Sequence, residues 1–351
     1  MSRLGTLKAA IVERLRPFAR DLGAELLHRS LLTHPARVAR DKLTIVTFHR
    51  VLPPELIADY PIPTIAVTPD ELDWFLRLFD YYYSVGTLAE VGTRFAIGDR
   101  PDRPLLGVTF DDGQRDNYEF ARPVLSQHGV HATFFVVADA IDGDRTLWHD
   151  RMAYAIATLL ARDAAAAAPL LSELGVSPHD PDPKQAAVEA LKRLTPQARD
   201  EWVGRVEASA GGQCRPSWDG MMSWDQLRAL HEEGHEIGSH SRTHAILPRV
   251  SDTQLEHEIG GSRRVLREQL GLEIQSFCFP NGDHDDRVVR AVERAGYRHA
   301  VTTRYGINDA EVSPYRLRRV DIQSSHARTA SGDLSAARIL LRLTGRLPTA
   351  Y

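Results

Sequence analysis

The segment from Leu105 to Gly113, LLGVTFDDG, joins an apolar run to two adjacent aspartates. The run is rich in strand-forming residues and ends at polar turn residues, so it predicts a buried β-strand. In α/β folds the carboxyl end of such a strand is where catalytic groups lie. Asp111 and Asp112 repel each other there unless a cation or a proton is shared between them. An ordinary Asp-Asp-Gly turn is the competing interpretation.

Strands and helices alternate along most of the chain. Further strands are expected near residues 43, 132, 235, 275, 299 and 316. A helix is expected to begin at Thr68-Pro69, where a capping residue, a first-turn proline and early acidic residues coincide. Such alternation is typical of parallel β/α units. It predicts an α/β protein whose strands form a barrel of seven or eight strands.

Two helical segments are expected in addition to the barrel of residues 43–351. Residues 1–42 form an N-terminal extension, and an alanine-rich helical insertion occupies about 148–212. At the start of the insertion Trp148, His149, Asp150 and Arg151 could reach the barrel rim, but we interpret them as the structural start of a helix. Apolar residues of the extension recur at helical spacing, namely Leu4, Leu7, Ile11, Leu15 and Phe18.

The N-terminal extension is amphipathic and basic, a pattern also found in helices that lie on anionic membrane surfaces. We expect it to pack against the barrel or a partner subunit instead, with membrane-surface contact as the alternative. Charged residues interrupt it too often for a bilayer span, and it lacks the features of a secretory signal. The expected location is cytoplasmic, with peripheral attachment to a membrane as the alternative.

The composition describes a globular chain of 351 residues, 43% hydrophobic, that can bury a large core. Its net charge of −4 and its scattered basic residues provide no electrostatic footprint for nucleic acid. The two cysteines, Cys214 and Cys278, make neither a disulfide framework nor a zinc knuckle. A nucleic-acid partner is therefore not expected, and a reducing compartment is consistent with the cysteine content.

Two histidines follow another predicted strand. Residues 235–239 lead directly into His240-Ser241-Arg242-Thr243-His244. If the chain turns helically after His240, residues i and i+4 share a face, and both imidazoles can reach one ion. A capped turn with exposed imidazoles is the competing interpretation.

These residues resemble the motifs of the polysaccharide deacetylase family, the carbohydrate esterases with a NodB-type homology domain. Thr109–Gly113 matches the first family motif, His240–His244 matches the second, and Phe279–Gly282 is similar to the third. Trp224 stands where the family often has a tryptophan before the histidine motif. The resemblance covers residues 100–325 approximately. It implies a distorted (β/α) barrel that removes N-acetyl groups from amino-sugar polymers.

The resemblance also implies roles for the matching residues. Asp112, His240 and His244 would bind a divalent metal, with zinc favoured, and would leave positions open for water and substrate. Asp111 would be the general base, and the backbone N–H of Asn281 would stabilise the tetrahedral oxyanion. Further candidates for contact with the substrate are His49, Trp224, Pro280, Arg319 and Asp321.

Two departures from the family pattern leave roles open. The third motif usually opens with an arginine that holds the base, but here the segment is Gln275-Ser276-Phe277. The last strand usually carries a histidine that acts as general acid, and no histidine stands in 317–322. Arg319 could take over the orienting role, and either Asp321 or His49 could donate the proton.

The sequence therefore predicts a metal-dependent hydrolase that removes N-acetyl groups from an amino-sugar polysaccharide or oligosaccharide, of the chitooligosaccharide or exopolysaccharide type. Its expected partner is this N-acetylated saccharide. A catalytically silent carbohydrate-binding relative is one alternative, which the missing acid and arginine permit. An O-acetyl esterase acting on a polysaccharide is the other. The complete set of aspartates and histidines weighs against the silent relative.

Overall fold

Residues 17–345 are described by a computed structural model, in which seven parallel strands close into a barrel. The strands are β1 (Leu43–Phe48), β2 (Arg50–Val51), β3 (Ala66–Val67), β4 (Ser84–Gly86), β5 (Leu105–Phe110), β6 (Thr133–Val136), β7 (Glu236–Ser239), β8 (Ser276–Cys278), β9 (His299–Tyr305) and β10 (Leu317–Asp321). The barrel follows the order β1, β5 to β10, and β10 then pairs with β1. The expected α/β barrel is confirmed.

Strand β4 was not expected from the sequence. It pairs with the first half of β5, from Ser84 beside Leu105 to Gly86 beside Gly107, whereas β6 pairs with the second half. Three residues are too few to show the alternation that marks a strand in a sequence. The sheet thus has eight strands, of which seven form the closed barrel, and β2 and β3 make a separate small sheet.

Helices follow most of the barrel strands. They are α1 (17–29), α2 (Pro35–Val38), α3 (Pro54–Asp59), α4 (Pro69–Tyr82), α5 (Leu88–Ala96), α6 (Arg122–His128), α7 (Trp148–Arg162), α8 (Ala164–Glu173), α9 (Pro183–Leu191), α10 (Pro196–Ala210), α11 (Trp224–Glu232), α12 (Asp252–Leu270), α13 (Asp286–Arg294), α14 (Ser324–Ala327) and α15 (Ala336–Arg342). Helix α4 begins where expected, because Thr68 and Glu71 form a reciprocal capping box. The described residues include no helix with the length and hydropathy of a membrane span.

The barrel strands are buried on both faces. In β1, Ile45 belongs to the cluster inside the barrel together with Phe135 and Cys278. Its neighbours Val46 and Phe48 belong instead to the core between the barrel and the surrounding helices. This double burial explains why β1 and β5 appear in the sequence as continuous apolar runs rather than as alternating ones.

Helices α7 to α10 pack around a second hydrophobic core, which includes Met152, Leu191 and Val203. Leu52 and Ile62, from the segment between β2 and β3, belong to the same core. The inserted helices are therefore packed against the chain that leaves β1. This contact brings the start of α7 to the carboxyl end of the barrel.

Helix α1 lies against the C-terminal helix α15. The Asp21 carboxylate accepts hydrogen bonds from Arg338 Nη1 at 2.7 Å and from the backbone N–H of Ala330 at 2.8 Å, and Ala24 is buried. Of the apolar stripe expected in the extension, Phe18 is 58% exposed. The other members of the stripe, Leu4, Leu7, Ile11 and Leu15, lie outside the described residues.

Candidate active site

A cleft of about 160 Å³ lies at the carboxyl ends of β1, β5 and β7. It is lined by residues that follow these strands, by residues of the insertion, and by residues of the β2–β3 segment, of the segment after β8 and of β9: His49, Ile62, Ile65, Asp111, Asp112, Trp148, His149, Gln185, Val188, Lys192, His240, His244, Phe279, Asn281 and Thr303. The structure thus brings both aspartates of the first motif and both histidines of the second into one cleft. Parallel strands make this possible, because their carboxyl ends meet at the same end of the barrel.

Asp111 is held by Arg319 of β10. Arg319 Nη1 donates to Oδ1 and Nη2 donates to Oδ2, both at 2.7 Å, and its Nε donates to the carbonyl of Thr302 at 2.9 Å. Both side chains are almost fully buried. Burial alone would raise the pKa of Asp111, but the guanidinium outweighs it and holds this pKa below its usual range. The carboxylate is therefore ionised at neutral pH.

Asp112 faces the two histidines. Its Oδ1 lies 3.5 Å from His240 Nε2 and 3.4 Å from His244 Nε2, and the three ligand atoms lie within 4.8 Å of one another. His240 Nδ1 donates to the carbonyl of Cys278 at 2.8 Å, so Nε2 is the nitrogen that faces the cleft. Burial lowers the pKa of His244, and the neighbouring His240 lowers it further, so its imidazole is neutral. One carboxylate and two imidazoles of this kind fit a divalent cation.

The backbone around these residues is strained. Within residues 17–345, six residues other than glycine have a positive φ, and four of them belong to the motifs: Asp112, Ser241, His244 and Asn281. Each such residue costs on the order of 1–3 kcal/mol, and strain of this kind persists mainly at functional sites. Gly113 also has a positive φ of 81°, and a Cβ on it would lie 3.0 Å from Val136. The DDG motif therefore needs its glycine.

The segment after His240 does not turn helically. Ser241 adopts a left-handed conformation with φ of 64°, and its Oγ accepts a hydrogen bond from the backbone N–H of His244. Glu258 of α12 accepts hydrogen bonds from the N–H groups of Arg242 and Thr243, at 3.0 and 2.9 Å. The two imidazoles meet through this fixed loop rather than through helical spacing. The spacing of the two histidines did not indicate that Glu258 supports this loop.

Trp148 and His149 lie in the cleft, contrary to their interpretation as a purely structural helix start. His149 Nε2 is 3.7 Å from Asp112 Oδ2, and its ring centroid is 5.1 Å from that of His244. Trp148 Nε1 donates to the carbonyl of His244 at 3.2 Å. Both residues come from the insertion, whose position relative to the barrel could not be read from the sequence.

A buried charge cluster behind the cleft joins the insertion to the barrel. Arg50 donates to Asp116 at 2.9 Å and to Asp219 at 2.8 Å, and its Nη1 lies 4.0 Å from Asp150 of α7. Asp150 also accepts hydrogen bonds from Tyr60 and Gln114, both at 2.7 Å. Three carboxylates thus surround one guanidinium. Burial raises the pKa of Asp116 to about 6, even though Arg50 opposes this.

The remaining candidates divide into two groups. His49 lies in the cleft with Nε2 3.9 Å from Asp111 Oδ2, and Asn281 also lines the cleft, while Pro280 is buried beside it. Trp224 does not line the cleft. It begins α11, packs against the main core and donates its backbone N–H to Asp142.

Asp321 is also outside the cleft. Its carboxylate accepts a hydrogen bond from Gln323 at 2.8 Å, and its carbonyl accepts one from Arg342 of α15. It is the last residue of β10, where the chain already turns toward α14. The sequence expectation that Trp224 and Asp321 contact the substrate is therefore not supported by their positions.

The profile described as Polysaccharide deacetylase matches residues 98–300, more than half of the chain. The chain belongs to the polysaccharide deacetylase family. It is 20% identical over 255 residues to YxkH of Bacillus subtilis, a protein named for this family, with 73% of this chain and 64% of YxkH covered. It is 25% identical over 127 residues to chitin deacetylase 1 of Cryptococcus neoformans, with 36% of this chain and 27% of that protein covered. The chain spans less than two thirds of the length of these curated relatives.

Two solved structures have a fold similar to that of this polysaccharide deacetylase family member. The Streptococcus pyogenes deacetylase PplD, solved in complex with acetate, is 19% identical with a TM-score of 0.56, over 86% of this chain and 98% of PplD. IcaB from Ammonifex degensii is 17% identical with a TM-score of 0.55, over 87% of this chain and 97% of IcaB. At these identities the likeness concerns the fold.

Proposed function

We propose that the protein is a metal-dependent hydrolase that removes N-acetyl groups from an amino-sugar polymer or oligomer. One observation carries the proposal: two adjacent carboxylates at the end of β5 are held in different surroundings. Asp111 is bonded to a guanidinium, whereas Asp112 faces two imidazoles. This arrangement separates a proton acceptor from a metal ligand, as amide hydrolysis at neutral pH requires.

Asp112, His240 and His244 would hold the divalent cation. We favour zinc, because two imidazoles and one carboxylate are a common ligand set for catalytic zinc. When bound, the cation supplies a Lewis acid and lowers the pKa of a water in the cleft. The second nitrogen of His240 is already fixed by the carbonyl of Cys278, so this ligand is oriented before a cation arrives.

Asp111 would act as the general base. Its carboxylate is ionised, faces the cleft and adjoins Asp112, so it can accept a proton from a water there. Arg319 would be a positioning residue, because its two parallel hydrogen bonds fix the plane of the carboxylate. It would take the place of the arginine that the third motif lacks.

His49 would donate the proton to the leaving amine. It follows β1, lines the cleft and has 27% of its side chain exposed, so it can meet a bound substrate. The other candidate for this role, Asp321, lies outside the cleft. The backbone amide of Asn281 would stabilise the oxyanion, and the left-handed conformation of this residue, with φ of 58°, fixes the direction of its peptide groups.

The relatives support an acetylated saccharide as the substrate. One curated relative is named a chitin deacetylase, and a related fold was solved with acetate bound. The cleft also adjoins the insertion, which contributes Trp148, Gln185 and Lys192 to its lining. An aromatic ring beside polar groups suits a sugar, which has an apolar face and hydroxyl edges.

The test is acetate release from N-acetylglucosamine oligomers by the protein loaded with zinc, compared with its His240→Ala variant. We expect acetate from the unmodified protein, and a loss of both bound zinc and acetate release in the variant. Reversible binding of the oligomers without any acetate release would favour the silent carbohydrate binder. Acetate release from O-acetylated xylan alone would favour the esterase.

A further inference from the structure

Helix α1 presents an apolar face to solvent. Phe18, Leu22 and Leu26 recur at four-residue spacing and are 58%, 62% and 59% exposed, and Leu31 and Leu32 continue the patch at 51% and 58%. Within the described part of the chain eight large hydrophobic residues are exposed, and six of them lie between residues 18 and 32. A concentration of this kind marks an interaction surface, whereas single exposed apolar residues do not.

The orientation of α1 is fixed by its opposite side. Asp21 is bonded to Arg338 of α15, and Ala24 is only 2% exposed. The side of α1 with Asp21 and Ala24 therefore packs against the rest of the protein, whereas Phe18, Leu22 and Leu26 are exposed to solvent. The sequence predicts that the apolar stripe packs against the barrel or a partner subunit. Of its members only Phe18 lies within residues 17–345, and the barrel does not cover it.

Positive charge accompanies this apolar face. Residues 1–42 contain nine lysines and arginines against four aspartates and glutamates, although the whole chain has a net charge of −4. An exposed apolar face on a basic segment matches the boundary between acyl chains and anionic headgroups.

We propose that α1 docks the protein on an anionic membrane surface. Phe18, Leu22 and Leu26 enter the acyl boundary, and the excess of lysines and arginines in residues 1–42 is attracted to the lipid phosphates. A second copy of the chain fits this face less well, because a symmetric contact would bring the same basic segments of both copies together. An anionic lipid surface removes this repulsion and covers the apolar residues at the same time.

The test is sedimentation of the full-length protein with lipid vesicles. One set contains phosphatidylcholine alone, and the other contains phosphatidylcholine mixed with phosphatidylglycerol. We expect binding to the mixed vesicles and release at high salt, because salt screens the attraction to the phosphates. Exchanging Leu22→Glu together with Leu26→Glu should weaken binding by at least about 10-fold, since two apolar side chains no longer enter the lipid.

The matched control is the pair Tyr81→Glu and Ile97→Glu, because these residues are 73% and 78% exposed but do not belong to α1. The control should bind the vesicles like the unmodified protein. The proposal is overturned if the unmodified protein does not bind the mixed vesicles, or if it binds vesicles of phosphatidylcholine alone equally well. It is equally overturned if light scattering shows a dimer that the Leu22→Glu, Leu26→Glu protein no longer forms. If this variant does not fold, the salt dependence of vesicle binding by the unmodified protein tests the proposal, and binding that salt does not weaken would overturn it.

Discussion

Arg319 and Asp111 form a buried bidentate ion pair, although 208 residues separate them in the chain. The arginine lies on the last strand, in the segment where the family pattern usually has its general acid. In the proposed mechanism, the orientation of the base and the donation of the proton come from other strands than the family pattern implies. Arg319 supplies the first from β10, and His49 would supply the second from the end of β1.

Replacing Arg319 with methionine should lower kcat/KM by about 10²-fold, the usual cost of a misplaced catalytic group. Burial of Asp111 would then be unopposed, so the pKa of its carboxyl should rise. A base works only when ionised, and its activity is lost as the pH falls through its pKa. The acidic limb of the pH profile should therefore move to higher pH. Arg318→Met, at the exposed neighbouring position, is the control, and an unmoved acidic limb in Arg319→Met would refute the role.

Substituting His49→Gln should separate substrates by their leaving groups. Amide hydrolysis should fall by about 10²–10⁴-fold, because the amine must be protonated to leave. Hydrolysis of p-nitrophenyl acetate should change little, because its leaving group needs no proton. Asp321→Asn, outside the cleft, should leave both rates unchanged. Equal losses on the two substrates would show that His49 serves another purpose.

Glu258 should control the metal affinity through the histidine loop. Glu258→Ala removes the oxygen Oε2 that accepts from both the Arg242 and the Thr243 N–H groups. Loss of support of this kind typically costs about 10–100-fold in metal affinity. Glu256→Ala, at an exposed position of the same helix, is the matched control. Zinc titration against a competing chelator measures the difference, and an unchanged affinity would speak against the support.

Removing Arg50 should destabilise the protein strongly. Arg50→Met leaves Asp116, Asp150 and Asp219 buried without their shared cation, and a broken buried ion pair costs about 3–5 kcal/mol. Arg103→Met, at a surface position, should change the free energy of unfolding by less than about 0.5 kcal/mol. Urea unfolding measures both. A small effect of Arg50→Met would mean that the cluster is not what joins the insertion to the barrel.

The barrel could be predicted from the sequence because double burial turns strands such as β1 and β5 into continuous apolar runs. Asp111 and Asp112 could be selected because they directly follow β5, and His240 and His244 because they belong to the segment that follows the short strand β7. Which side chains meet then depends on the order of the strands and on the end of the barrel where each strand finishes, and the sequence contains this information.

The other parts of the site depend on three-dimensional facts that the sequence does not display. His149 reaches the cleft only because the insertion packs on the segment after β1. Arg319 reaches Asp111 across the barrel, beside an irregular register between β9 and β10. The left-handed conformation of Ser241 has no residue signature comparable to a glycine. Trp224 was misplaced because a motif neighbour in sequence need not face the same cleft.

The most direct measurement is acetate release by the Asp111→Asn variant, made together with its metal content. Asparagine keeps the shape of the side chain and removes its basicity. We expect acetate release from N-acetylglucosamine oligomers to fall by about 10²–10⁴-fold while bound zinc stays near one equivalent. Undiminished acetate release, or a loss of zinc in place of a loss of rate, would contradict the assignment of Asp111 as the base beside a metal held by Asp112.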